Sequence, residues 1–162
     1  MGPITLTPIG VVKNSRHTPV DDYWADVQST LVLDAKQFTA EALYELETFS
    51  HLEVIFAMHL VKEDKIQWGA RHPRNNKSWP KVGIFAQRAK SRPNRLGMSR
   101  CCICSVDGLS ITVSHLDAID GTPILDIKPY LQEMGPIGTI KQPSWSSELM
   151  TQYYASKHKS HH

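Results

Sequence analysis

The chain contains no apolar stretch near the ~20 residues that a membrane-spanning helix needs. Its opening, Met1-Gly-Pro-Ile-Thr-Leu6, has no basic region leading into a long apolar run. A secretory leader is therefore not expected, and the expected compartment is the cytoplasm. Cysteine is scarce: three residues, at 101, 102 and 104, all inside one apolar run. An odd, clustered set cannot staple distant parts of a fold, so a disulfide framework is excluded and buried free thiols are expected. No Gly-x-Gly-x-x-Gly follows a strand and opens a helix, which argues against a doubly wound dinucleotide site. Repeats and low-complexity tracts are missing. Metal-ligating patterns are thin as well. His51 and His59 lie eight apart, but no Cys, Asp or further His stands at matching spacing, so no metal is expected.

Net charge is small, +2 at neutral pH, so no global field advertises nucleic acid. What is missing locally matters more. From Arg71 to Arg100 there are nine Lys or Arg residues and no Asp or Glu. Such a segment suits phosphate or another anion.

The apolar pattern predicts a mainly β domain. Strands are expected over Thr5–Lys13, Val27–Asp34, Leu52–Val61, Val82–Gln87, Met98–Val106, Leu109–Leu116 and the stretch ending at Tyr130. Asp107-Gly108 signals a tight hairpin between the fifth and sixth of these. A helix is expected over Thr39–Phe49, capped by Thr39 with Phe38 stapled on Leu43, and another after Ser144, with Trp145, Leu149 and Tyr153 on one stripe. The result is a small antiparallel barrel, closed or partly open, or a sandwich, with two short helices. Residues 1–156 are expected to form one domain, and 157–162 a frayed basic tail.

Polar residues in places that packing does not explain mark the chemistry. Asp120-Gly-Thr-Pro-Ile-Leu-Asp-Ile-Lys-Pro-Tyr130 runs from a turn into an apolar strand that carries Asp126 and Lys128. Residues two apart in a strand share a face. Asp126, Lys128 and Tyr130 are therefore expected on one side, with Leu125 and Ile127 on the other. A second segment, Arg16-His17 through Asp21-Asp22-Tyr23-Trp24, mixes both charges with two aromatics. A third, Ser50-His51 through His59-Leu60, ends in histidines. A fourth opens a strand into a loop carrying Arg88, Lys90, Arg92 and Arg95, its turns set by Pro93, Asn94 and Gly97. Arginine forks of this kind hold carboxylates and phosphates.

Taken together, these segments resemble a known family. It comprises the small β-barrel, S-adenosylmethionine-dependent methyltransferases related to the bacterial tRNA adenine methyltransferase that acts on threonylcarbamoyl-adenosine beside the anticodon. The resemblance runs from Ile9-Gly-Val-Val12 to about Tyr154. It rests on Phe49-Ser-His-Leu-Glu-Val-Ile-Phe-Ala-Met-His59, Gly83-Ile-Phe-Ala-Gln-Arg88, Arg92-Pro-Asn94 with Gly97, and the 120–130 stretch. It departs at Arg95-Leu96, where the family often has Pro-Ile, and the C-terminal domain that longer members carry is not expected in these residues.

The resemblance implies a homodimer with S-adenosylmethionine where two barrels meet. It places cofactor contacts on Arg16 and His17, on His59 and Leu60, on Arg88 and Met98, and on Asp117, Ala118, Ile119, Asp120, Gly121 and Thr122. Within that set, Arg88 suits a carboxylate, Asp120 ribose hydroxyls, and the Leu60 and Met98 surfaces an adenine. Asp126, Lys128 and Tyr130 are the catalytic candidates, and Lys90, Arg92, Asn94 and Arg95 the RNA contacts. The expected partner is tRNA. Asp120 and Asp126 both remain candidates for the proton acceptor. Rival readings are a non-catalytic RNA-binding barrel that stacks bases on Trp68, Trp79 or Tyr23, a methyltransferase for another acceptor, and a metal hydrolase built on His51, His59 and His72.

Overall fold

The computed structural model describes residues 1–158. Its strands are β1 (Gly10–Lys13), β2 (Gln28–Leu33), β3 (His51–Ala57), β4 (Ala70–Arg71), β5 (Val82–Gly83), β6 (Leu96–Asp107), β7 (Ser110–Ser114) and β8 (Pro123–Pro129). Six of them close an antiparallel barrel in the order β1-β2-β7-β6-β3-β8, with β8 returning to β1. The remaining pair, β4 and β5, forms a separate two-stranded ribbon.

Period-2 alternation builds this wall. Along β3 the buried residues are Leu52, Val54 and Phe56, while His51, Glu53, Ile55 and Ala57 face outward and are only partly covered. The core joins them to Val12, Leu31, Leu33, Cys101, Ile111, Val113 and Ile124, all at most 5% exposed. Fully burying each such Leu, Ile or Val side chain contributes about 1.5–3 kcal/mol. Gly97 sits opposite Phe56 in the β3–β6 ladder, and a Cβ there would run into the Phe56 ring. The expected hairpin is present with Gly108 and Leu109 as its two turn residues, Gly108 at φ 59° and Asp107 paired with Ser110.

Two bulges change the simple phase. In β6, Ile103 pairs with Val113 but Ser105 pairs with Thr112, so Cys104 is an extra residue. It is pushed out to solvent. Of the three cysteines only Cys101 is buried; Cys102 is half-buried and Cys104 exposed, which corrects the expectation of three buried thiols. In β8, Phe56 pairs with Ile124 and Ile55 with Asp126, leaving Leu125 as the extra residue. Ile124 and Ile127 therefore serve the core, and Leu125 does not join Ile127 as the alternation had placed it.

Other elements are shorter than expected. The 39–49 helix forms as two 3-10 turns, Ala40–Leu43 and Leu46–Thr48, separated by Glu45 at φ 66°. Thr39 makes no side-chain cap, while Phe38 packs against the core. The Leu52–Val61 strand stops at Ala57, and Met58 to Val61 turn back with the Val61 N–H donating to the Met58 carbonyl. After Gly83 the chain enters a 3-10 turn, Ile84–Ala86. The late helix α1 spans Ser144–Leu149, and Pro143, not Ser144, is its N-cap. Of the tail expected to fray, Lys157 donates its backbone N–H to Asp26 at 2.8 Å, and residues 159–162 lie outside the described residues.

Burial pushes the Cys101 thiol up to about 12, helped by neighbouring Cys102, Asp117 and Cys104. The thiolate is the reactive form. At pH 8, iodoacetamide on the native protein is expected to label Cys104 first and Cys102 more slowly, and to leave Cys101 unmodified until denaturant is added. Peptide mass spectrometry reads this, and rapid native labelling of Cys101 would contradict its place inside the barrel.

Candidate functional site

The turn before β8 is stitched to β1 across the barrel seam. The Val12 N–H donates to the Thr122 carbonyl at 2.9 Å, and the Gly121 N–H donates to the Val12 carbonyl at 2.8 Å. Gly121 stands at φ 82°, a conformation that glycine adopts without strain. Thr122 is buried, its hydroxyl donating to the Ile119 carbonyl at 2.7 Å. Asp120 Oδ1 accepts the Asn14 backbone N–H at 3.0 Å, and Oδ2 lies 3.3 Å from His17 Nδ1. The Asn14 side chain completes the link, donating to Ser29 Oγ at 3.0 Å and to the Ala118 carbonyl at 2.8 Å. Arg16, His17 and the residues from Ala118 to Thr122 thus form one cluster at an end of the barrel. Asn14 went unnoticed in the sequence because one asparagine after a strand carries no pattern.

Arg16 is committed to its own loop. Its guanidinium donates to the Asp22 and Tyr23 carbonyls at 2.9 and 3.1 Å and lies 4.1 Å over the Trp24 ring. Arg74, from the loop between β4 and β5, clamps the same segment, donating to both Asp22 oxygens at 3.0 and 3.2 Å. Beside this loop lies an open groove of about 500 Å³, lined by Arg16, His17, Val20, Val27 and Lys157 among others.

The chain's last described segment closes the cluster from the other side. The Tyr23 and Trp24 N–H groups donate to the Gln152 and Tyr153 carbonyls at 3.0 and 2.9 Å. The Tyr153 hydroxyl donates to Asp117 Oδ2. Burial, together with the Asp117 charge, pushes the Tyr153 phenol far up, so it stays a donor. Asp117 Oδ1 is buried with no partner among the described residues. A buried carboxylate oxygen without a donor is costly, and a ligand amine or hydroxyl is the kind of group that satisfies it. Tyr153 therefore belongs to the site, and with Trp145 and Leu149 only half-buried, the expected helical stripe does not form a separate surface.

A second cluster lies along the start of β6. Exposed Arg88 donates to the Met98 carbonyl at 2.7 Å. His59 and Leu60 ride on the turn held by Arg95, whose guanidinium donates to the Val61 carbonyl at 2.7 Å. Arg92 donates to the Gln87 carbonyl at 2.6 Å. Arg92 and Arg95 are thus engaged in shaping their loop, with Asn94 and Arg95 both at positive φ, 63° and 51°, while Lys90 and Asn94 are exposed. Tyr154 joins the two clusters. It packs on His115 with ring centroids 5.5 Å apart, while the Arg88 charge acts on both Tyr153 and Tyr154.

Asp126, Lys128 and Tyr130 stand elsewhere, on the outer wall. Register places them in rows across three strands: Met98, Ile55 and Asp126; then Arg100, Glu53 and Lys128; then Cys102 and His51, with Tyr130 donating its N–H to the His51 carbonyl. Directly opposed residues in a ladder point to the same face. Asp126 and Lys128 pair at 3.2 Å and are 50% and 65% exposed. Arg100 approaches Glu53 to 3.7 Å and lies 4.1 Å over the Tyr130 ring. At strand spacings of about 4.8 Å, Asp126 stands ~10 Å from the Met98 strand. His51 is occupied by Ser50 at 2.6 Å and Cys102 at 3.6 Å, and His59 lies beyond the strand end. Among the described residues no three His, Cys, Asp or Glu side chains converge as metal ligands.

Comparison with known proteins adds to this geometry. Residues 10–135 match the family described as tRNA-methyltransferase O N-terminal domain. The tRNA (adenine(37)-N6)-methyltransferase of Escherichia coli K12 is 40% identical over 96 residues, which cover 57% of this chain and 40% of that protein. A probable S-adenosyl-L-methionine-binding protein of Methanothermobacter thermautotrophicus is 31% identical over 140 residues, 83% of this chain and 96% of that protein. A crystal structure of TrmO from P. aeruginosa superposes with a TM-score of 0.72 at 25% identity, over 90% of this chain and 62% of that one. The chain thus spans less than half the length of the E. coli relative.

Tyr153→Phe keeps the ring and removes the donor, leaving the part-buried Asp117 Oδ2 without its partner as well. The expected cost is about 1–3 kcal/mol of folding stability, read as a lower urea midpoint with the slope unchanged. An unchanged midpoint would show that water replaces the tyrosine.

Proposed function

The chain belongs to the tRNA-methyltransferase O N-terminal domain family, and from that premise we propose that it transfers a methyl group from S-adenosylmethionine to the exocyclic amine of an adenosine beside the anticodon of tRNA. The observation that carries the cofactor half of this reading is the Asp117–Thr122 turn. It is stitched into the barrel seam, flanked by His17, and it presents a buried Asp117 oxygen that has no donor among the described residues. An amine-bearing and ribose-bearing ligand fits such a turn. Asp117, Asp120 and His17 hold its polar groups, Arg88 its carboxylate, and the exposed Met98 and Leu60 side chains its adenine.

When bound, S-adenosylmethionine supplies an electrophilic methyl carbon on a sulfonium. This chain's residues supply position and a proton acceptor. Holding nucleophile and electrophile in line removes much of the barrier of a direct displacement. Both Asp120 oxygens already face donors, Asn14 and His17, which suits a holding role. Asp126 is more open, and we assign it the proton of the acceptor amine, with Lys128 orienting it at 3.2 Å and Tyr130, against Arg100 further along the same face, as the residue that meets the base. Lys90, Asn94 and the Arg92 and Arg95 loop face the RNA backbone. This displacement calls for no metal.

The catalytic unit in this reading is the single domain of residues 1–156, working in the cytoplasm, where tRNA is modified. We propose that it acts as a homodimer. Support comes from the extended segment after β8, where Met134, Ile137 and Ile140 are 72%, 100% and 69% exposed, too much apolar surface for one copy to leave in water. The β3 strand adds nothing to that surface from Leu52, Val54 and Phe56, which turn into the barrel.

Two experiments test the reading. Calorimetry without added metal is expected to show S-adenosylmethionine binding, and labelled cofactor is expected to transfer its methyl to bulk tRNA from a strain lacking this protein. No heat and no label would refute it. Asp126→Asn is expected to slow single-turnover transfer at saturating cofactor by about 100-fold or more, with cofactor affinity and melting temperature nearly unchanged. A lower melting temperature with activity intact in the folded fraction would make Asp126 structural.

A further inference from the structure

Among the described residues, two large aromatics stand at one end of the β4–β5 ribbon with little cover: Trp68 and Phe85, each 76% exposed. Ribbon pairing runs Arg71 to Val82 and Ala70 to Gly83, and continues outward with the Ile84 N–H donating to the Gly69 carbonyl at 2.8 Å. Trp68 and Phe85 are the next residue outward on each strand, so they flank the same end. The ribbon's other end is anchored. Arg74 holds Asp22 there, and the Trp79 indole donates to Glu148 on α1 at 2.7 Å. Gln87 stiffens the middle, donating to the Arg71 and Val82 carbonyls at 3.1 and 2.9 Å. The exposed end, itself tied to the next loop by the Gln67 N–H donating to the Ser91 carbonyl at 2.9 Å, therefore presents its aromatics from a fixed support.

The surroundings of this pair are cationic. Arg92 lies 5.9 Å from the Phe85 ring centroid, Lys90 and Arg88 are exposed on the loop that follows, and no acidic residue occurs from Arg71 to Arg100. The nearest acids in sequence, Glu63 and Asp64, sit in a turn between Lys62 and Lys65. A braced aromatic pair, with Arg92 against Phe85 and a cation-rich loop beside it, matches flat, apolar rings carried on a polyanion. Of the other stacking candidates, Trp79 is tied to Glu148, and Tyr23 is half-buried with Lys157 over its ring at 5.2 Å.

We propose that Trp68 and Phe85 form a stacking platform for unpaired bases of the RNA substrate, seated on a ribbon braced against the cofactor loop. This deepens, and rests on, the reading of the chain as an RNA methyltransferase. Stacking is indifferent to base identity, so the platform selects single-stranded over paired RNA, while Lys90 and its neighbours supply salt-sensitive affinity.

The test compares an anticodon stem–loop RNA with a fully paired duplex of equal length, by filter binding across a salt series and by methyl transfer. Wild type is expected to prefer the stem–loop. Trp68→Ala and Phe85→Ala are each expected to weaken stem–loop binding about 5- to 150-fold, with duplex binding, salt slope and cofactor affinity unchanged. Trp68→Phe is expected to restore most of the loss. Stem–loop affinity unchanged in both alanine variants, while wild type still methylates tRNA, overturns the platform and leaves the enzyme reading standing. Wild type that binds neither RNA and transfers no methyl overturns both. Alanine variants that sediment at half the wild-type mass assign the pair to a subunit contact and also overturn the platform.

Discussion

Closure of the barrel through β8 is the constraint on which the other features depend. β8 is paired on both sides, to β1 and to β3, and the β1 side is a short seam of Gly10 with Ile124 and Val11 with Pro123. The seam continues past the strands through Ile9, Val12, Gly121 and Thr122. A closed sheet has no free edge to satisfy, and the same bonds that finish it fix the backbone of the 120–122 turn. The site's most ordered part is thus a by-product of closing the wall. Weakening the seam would open the barrel and loosen the turn together.

Polar chemistry collects in two places with different physics. At the barrel end, Asp117, Asp120 and Asn14 are partly withdrawn from water; Asn14 and Asp120 are held by several bonds, while Asp117 takes only the Tyr153 hydroxyl, whose phenol is buried against it. Electrostatic contacts gain strength there because solvent screens them less. On the outer wall, the Asp126–Lys128 pair is largely solvated and the Glu53–Arg100 pair partly so, and exposed pairs contribute about 0–1 kcal/mol each. Their value to the protein lies in what they can meet, not in holding the sheet. The segment from Gln152 to Lys157 binds the 23–26 loop along its length, so the end cluster is assembled from three parts of the chain distant in sequence.

Much of the wall was legible beforehand. Alternation from Leu109 to Ser114 and the Asp107-Gly108 signal placed β6 and β7 within a residue or two, because a hairpin is a local structure whose turn chemistry is written in two residues. The Asp120-Gly-Thr-Pro turn was equally plain. Phase beyond a bulge was not. Cys104 and Leu125 each add one residue opposite a partner strand, and nothing local separates an extra residue from a regular one. The 39–49 segment has helical spacing at Leu43 and Leu46, yet Glu45 breaks it at φ 66° to lay both leucines on the barrel. Tertiary burial outweighed propensity there.

By itself the sequence determined the residue types available for chemistry, the strands that could be buried on one face, and the stretch from Arg71 to Arg100 where cations gather without acids. Those are local properties, set by side-chain chemistry and by period. Only the folded barrel decided which of these residues meet. It brought Asn14 to Asp120 and Ala118, Arg74 to Asp22, and Tyr153 to Asp117, across separations of 106, 104, 52 and 36 residues. It also sent Asp126 to the outer wall, away from the end cluster that precedes it by only a few residues. The reason is physical. Pairing partners and bulges fix where a strand's side chains point, and they are chosen by burial summed over the whole chain.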